Sequence, residues 1–214
     1  MLRRLLAAAL VASAAQAQSY NAPAFQPSRL TEREYNFAAA DAGRAGTSLL
    51  VQWREGWGAR AQFGAEAGLA SPNGANAKTR TIIGAQAAWR WLAASDENPF
   101  DVLLTGSLGG SFADDANVTR FAVGAVAGHA FPLEGGMTLT GFAHPRLSLD
   151  GCSSCVAGKS DSKLAVDFDL GAELRVTPRV ALRVAALFGG ADYLGTTNAI
   201  GFSVAWTPAG LRRP

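Results

Sequence analysis

Lys163-Leu-Ala-Val-Asp-Phe-Asp-Leu-Gly-Ala-Glu-Leu-Arg-Val176 decides the fold. Every even position from Leu164 to Val176 is apolar, and the odd positions hold Asp167, Asp169, Glu173 and Arg175. A period of two belongs to a strand, because successive side chains leave opposite faces; on a helix these residues would spread around the whole cylinder. The same alternation recurs along the chain. Leu49, Val51 and Trp53 share a face, as do Phe63, Ala65, Ala67 and Leu69, then Ile83, Ala85, Ala87, Trp89 and Trp91. Phe100 to Phe112, Asn117 to Phe131, Met137 to Leu149, Val180 to Phe188 and Ala199 to Thr207 complete the set, with a weaker opening strand at Glu34 to Asp41. Ten strands result, or eight if the two short opening strands do not span.

The first 17 residues are of another kind. Arg3 and Arg4 precede an apolar run from Leu5 to Ala15, and Ala15-Gln16-Ala17 is a small-x-small cleavage site. This pattern predicts a secretory signal peptide, too short to span a membrane. Its removal leaves 17 basic residues against 17 acidic ones, so the formal charge of +2 points to no nucleic-acid partner. Residues 18–33, with Pro23 and Pro27 and no periodicity, are expected to be a flexible segment; 34–207 form one domain and 208–214 a tail. After the signal no apolar run approaches the roughly 18 residues of a membrane helix. A membrane location would therefore require a closed barrel, where every backbone group is paired.

The second face of the strands favours that reading. Arg60, Glu66, Arg90, Asp101, Arg146, Asp167, Asp169, Glu173, Arg175 and Arg183 are all assigned to it. An arginine turned to lipid at mid-depth would cost roughly 2–4 kcal/mol. Turned inward, opposite charges can pair across a lumen that eight to ten strands leave only wide enough for side chains. A soluble lipocalin-like barrel would need the reverse arrangement, with apolar residues around its ligand. With the chain starting on the periplasmic side, Trp53, Trp57, Trp89, Trp91 and Trp206 all fall near the periplasmic ends, where tryptophan favours the lipid–water boundary. The longest loop, 150–162, then falls outside. The expected fold is all-β, an antiparallel up-and-down transmembrane β-barrel.

These features resemble the small Gram-negative outer-membrane barrels of the OmpA-transmembrane, OmpX and opacity-protein kind. Ile200-Gly-Phe-Ser-Val-Ala-Trp206 is similar to the carboxy-terminal strand read by the barrel-assembly machinery in that group. The resemblance implies an outer-membrane location, lipid and the assembly machinery as partners, and an extracellular or envelope partner at the outer loops.

Chemistry-bearing motifs are sparse. Cys152-Ser-Ser-Cys155 is expected to form a local disulfide in the outer loop of an exported protein. His144 and Ser148 stand four residues apart, about 13 Å along a strand, too far for a nucleophile–base pair. Asp114-Asp115 is an acidic pair with neither histidine expected nearby. No metal-ligand spacing or phosphate loop occurs, and no cofactor or catalytic residue is assigned. The expected role is structural or surface-interaction, with a narrow solute channel as the alternative and a membrane enzyme third.

Overall fold

A computed structural model describes residues 25–43, 46–73, 78–114, 116–156, 159–190 and 198–209. Residues 1–17, expected to be a signal peptide, together with Asp115 and most of the C-terminal tail lie outside these residues. The strands are β1 (Arg33–Asp41), β2 (Thr47–Trp57), β3 (Ala61–Ser71), β4 (Arg80–Leu92), β5 (Phe100–Phe112), β6 (Asn117–Pro132), β7 (Thr138–Val156), β8 (Lys159–Thr177), β9 (Val180–Phe188) and β10 (Asn198–Trp206). Each pairs antiparallel with its neighbour in sequence. β1 also pairs with β10, from Tyr35 opposite Trp206 to Asp41 opposite Ile200, which closes the barrel. The fold is a closed ten-stranded up-and-down barrel, as the alternation requires. All ten strands take part, the two opening ones included.

Following backbone partners once round the barrel returns to the starting strand about 12 residues along, an offset that inclines the strands about 40° to the axis. The 13 residues of β5 then rise roughly 30 Å. Along that height the outer face is apolar: Leu49, Leu69, Ile83, Leu108, Phe121, Leu149, Val166, Ile200 and Phe202 are all at least half exposed. Their neighbours one residue away point into a packed interior.

Three boundaries differ from the sequence reading. Arg54-Glu-Gly-Trp-Gly58, with its two glycines, reads in sequence as a tight reversal, yet the turn lies at 58–60, where Gly58 takes a φ of +64°. Arg54, Glu55 and Gly56 are therefore strand residues. The loop expected at 150–162 is mostly strand, because β7 and β8 stay paired through Cys152 opposite Asp161, with an irregularity before Val156 meets Lys159. On its other side β8 has its last β9 partner at Phe168, so residues 159–167 rise past the end of that strand.

The third difference lies in the N-terminal segment. Residues 25–32, expected to be flexible, run inside the barrel, and Phe25, Gln26 and Ser28 are almost completely enclosed. Phe25 O accepts from Arg54 Nη2 at 3.1 Å, Gln62 Oε1 accepts from Thr31 N at 3.1 Å, and Glu32 O accepts from Gly56 N at 2.8 Å. Glycines make the space. A Cβ at Gly201 would stand 2.3 Å from the Phe25 ring, and one at Gly128 would stand 2.3 Å from Ser28 Oγ. Phe25 belongs to an internal apolar cluster with Leu50, Ile82, Leu103, Val126, Phe142 and Leu187. These six point inward against the general rule of the barrel.

Gly201→Val is expected to evict Phe25 and loosen this segment. Limited trypsin digestion of the folded barrel should then cut after Arg29 in the variant while sparing the parent; equal resistance would show that the barrel accommodates the added methyls.

Candidate functional site: a charge-paired lumen

Inward positions on adjacent strands bring charges of opposite sign into register. At the rim of the short turns, β1 sets Glu34 opposite Arg54 of β2. Glu34 Oε1 accepts from Arg54 Nη1 at 2.6 Å and Arg183 Nη1 at 2.8 Å, while its Oε2 accepts from Arg183 Nη2 at 2.6 Å. Arg183 also donates through Nε to Glu173 Oε2 at 2.7 Å. Glu173 Oε1 accepts from Arg29 of the N-terminal segment at 2.8 Å and from Arg175 at 3.2 Å. This group joins β1, β2, β8, β9 and the internal segment around two carboxylates.

A polar ladder climbs from it. Asn36 Nδ2 donates to Gln52 Oε1 at 2.7 Å, and Gln52 Nε2 donates to Glu66 Oε2 at 2.7 Å. Across the barrel, Arg146 holds Asp169 with two bonds of 2.5 and 2.7 Å. His144 lies between them and Thr105. Its Nδ1 is 3.1 Å from Arg146 Nη1 and its Nε2 is 2.9 Å from Thr105 Oγ1. A guanidinium can only donate, so Nδ1 accepts and Nε2 carries the proton to Thr105. Nearer the far rim, Arg120 clasps Asp150 with bonds of 2.7 and 2.6 Å and lies 3.6 Å from Asp167. Arg80 donates to Ser111 Oγ at 3.0 Å and to Ala116 O.

Of the residues assigned to the lumen from sequence, Glu66, Arg146, Asp167, Asp169, Glu173 and Arg183 are buried inside, and Arg175 is half-buried beside Glu173. Asp101 is half-buried at the short-turn rim, where it accepts from Ala94 N at 3.0 Å. Arg90 is half-buried, and Arg60 stands exposed in the turn at 58–60, outside the lumen. Glu34, Arg54, Arg80, Arg120 and Asp150 were missed. Arg54 and Asp150 fall in stretches read as a turn and a loop, whereas Arg80 and Arg120 sit on the correct parity of recognised strands.

Trp57, Trp89, Trp91 and Trp206 point outward around the short-turn rim, and Trp53 is half-buried next to them. Tyr35 stacks on Trp206 at 5.8 Å and Phe63 meets Trp53 edge-on at 5.4 Å. Cys152 is buried at the top of β7; the side chain of Cys155 lies outside the described residues.

His144 is fully enclosed with both ring nitrogens engaged, and Ser148 Oγ has no partner among the described residues. His129 Nδ1 contacts Pro99 O at 2.6 Å at the rim, and Asp114 pairs with Lys78 at 3.4 Å. No group of three metal-binding side chains occurs among the described residues.

The fold is the closed ten-stranded antiparallel barrel with oppositely charged side chains paired on its inner face. No protein-family model and no curated protein matches the chain. Among solved structures it is similar to the KdgM porin at 8% identity and a TM-score of 0.44, with 82% of this chain and 99% of that one covered. A KdgM porin in complex with disordered oligogalacturonate gives 8%, 0.42, 82% and 99%. The beta domain of the Bordetella autotransporter BrkA gives 10%, 0.40, 81% and 96%. At these values the likeness extends no further than the β-barrel.

Arg183→Met would strand Glu34 and Glu173 without their shared cation, a loss of roughly 3–5 kcal/mol for a buried pair broken on one side. Urea titration of the refolded barrel should show it, and Glu34→Gln with Arg183→Met should cost less than the two singles combined, because the residues share one network.

Proposed function

We propose that the chain is an outer-membrane β-barrel that does not conduct, with a structural or surface-interaction role carried by the connections at the rim opposite the tryptophans. One observation supports this above others: the apolar face looks outward along the whole barrel while the paired ions and the chain's own segment 25–32 fill the axis. A surface of exposed leucine, isoleucine, valine and phenylalanine roughly 30 Å tall suits hydrocarbon, whose thickness such barrels match with an apolar band of about 25 Å. Tryptophans gathered at one rim suit a lipid–water boundary. Closure of β1 on β10 gives the first and last strands a partner on each side, as a sheet embedded in lipid requires.

On this reading residues 1–17 direct export and are removed, and β10 is the strand presented to the barrel-assembly machinery. The short-turn rim faces the periplasm. The β7–β8 hairpin is the principal outer projection, where a Cys152–Cys155 disulfide would stiffen the tip. Its rise past β9 offers a contact surface for an extracellular or envelope partner. No catalytic role is proposed, since His144 is sealed from solvent by the packing around it.

Refolded protein should float with phospholipid vesicles, migrate differently on a denaturing gel before and after boiling, and give no steady conductance in planar bilayers. Discrete, long-lived conductance steps would assign the chain to narrow channels instead, and failure to float would remove it from the membrane.

A further inference from the structure

Side chains alone fill the interior of an eight-stranded barrel, and ten strands give a diameter roughly a quarter larger. Where segment 25–32 lies, the wall is also cut back to small residues. Ala38, Ala40 and Ala199 share the apolar cluster of Phe25, Gly201 lies under its ring, and Gly128 faces Ser28. The space so made is taken by the chain itself, with Phe25, Gln26 and Ser28 almost completely enclosed.

The hold on this segment is uneven. At the short-turn rim Glu32 O accepts from Gly56 N at 2.8 Å and Thr31 N donates to Gln62 Oε1 at 3.1 Å, so that end is fixed beside the start of β1. Deeper in, Phe25 rests on apolar contact and on a bond of 3.1 Å from Arg54 Nη2 to its carbonyl. Pro27 has no N–H to give, and Gln26 Nε2 donates within the segment, to Pro27 O at 3.1 Å.

The ions of the wall do not depend on it either. Without Arg29, Glu173 keeps Arg183 at 2.7 Å and Arg175 at 3.2 Å. Without the Phe25 carbonyl, Arg54 keeps Glu34 at 2.6 Å. A buried charge stranded by loss of its partner would tie the segment in place. Here neither Glu173 nor Arg54 is stranded.

We propose that residues 25–32 are a removable plug: swinging out through the short-turn rim about Glu32, they open a bore along the axis that passes small inorganic ions. An extended chain takes up roughly 5 Å by 10 Å in cross-section, so the bore admits water and ions and excludes bulky solutes. Arg54, Gln62 and Glu173, the polar groups the segment now touches, become its hydrated lining. The inference rests on the reading of a closed membrane barrel above and gives that closure a cause.

Planar-bilayer recording of the refolded full chain, beside a variant whose residues 25–31 are replaced by glycine and serine, tests this. The parent should show no steady conductance and the variant discrete steps. A synthetic peptide of residues 25–32 should shorten the variant's openings, and a scrambled peptide should not. Gly201→Val, which keeps the segment attached but displaces the Phe25 ring, should open intermittently. Flotation with phosphatidylcholine vesicles and heat-dependent gel mobility establish first which chains are folded membrane barrels. A folded replacement variant that stays silent, or whose openings ignore the peptide, overturns the plug alone. If the replacement does not fold, Gly201→Val carries the test, and its silence overturns the plug. A parent that conducts steadily overturns the closed-barrel reading and the plug with it, and a parent that does not float removes the membrane reading itself.

Discussion

Closure of β1 onto β10 is the constraint from which the rest follows. Once the last hydrogen-bond ladder is made, every strand has two neighbours and every side chain must choose between an enclosed axis and the outside. In an ordinary soluble sheet the enclosed side would be greasy. Here the order is inverted: Glu34, Arg54, Arg183 and Glu173 meet at the axis while Leu49, Leu108 and Ile200 look away from it. Removing ions from water is expensive, and that cost is offset only where each ion finds partners of good geometry. The lumen supplies them, with forked pairs at Arg146–Asp169 and Arg120–Asp150 and a three-arginine arrangement around Glu173.

The interior is not uniformly ionic. Phe25 and the inward Leu103, Val126 and Phe142 make an apolar collar within it. Gly128 and Gly201 let the internal segment lie against the wall, so the absence of a Cβ at two positions determines whether this segment fits. Charge pairing and steric fit thus act on the same eight residues, because Arg29 and Phe25 O are anchored by groups that also hold the strands together.

The alternation in 163–176 and its repeats made the strand count, the pairing order and the direction of both faces legible. What was not legible had local causes. Glu55-Gly56 imitates a turn, yet Gly58 is the residue with positive φ, so the strand runs on past Arg54 to Trp57. Asp150-Gly-Cys-Ser-Ser reads as loop by composition but remains in the ladder because Arg120 on β6 draws Asp150 inward. Residues 25–32 carry no period because they form no strand, and periodicity is silent about a segment held by side chains. Arg60 and Arg90 have the right parity by sequence but sit at the rim, Arg60 exposed in the turn at 58–60 and Arg90 only half-buried.

The Glu34–Arg183 pair has a mechanical side. Glu34 stands on β1 and Arg183 on β9, so their twin bonds of 2.8 and 2.6 Å reach over the intervening β10. The joint where first and last strands meet is riveted from within as well as stitched along its backbone. Unzipping it sideways would require breaking buried ion pairs and the ladder together, so this seam resists opening between the axis and the outside.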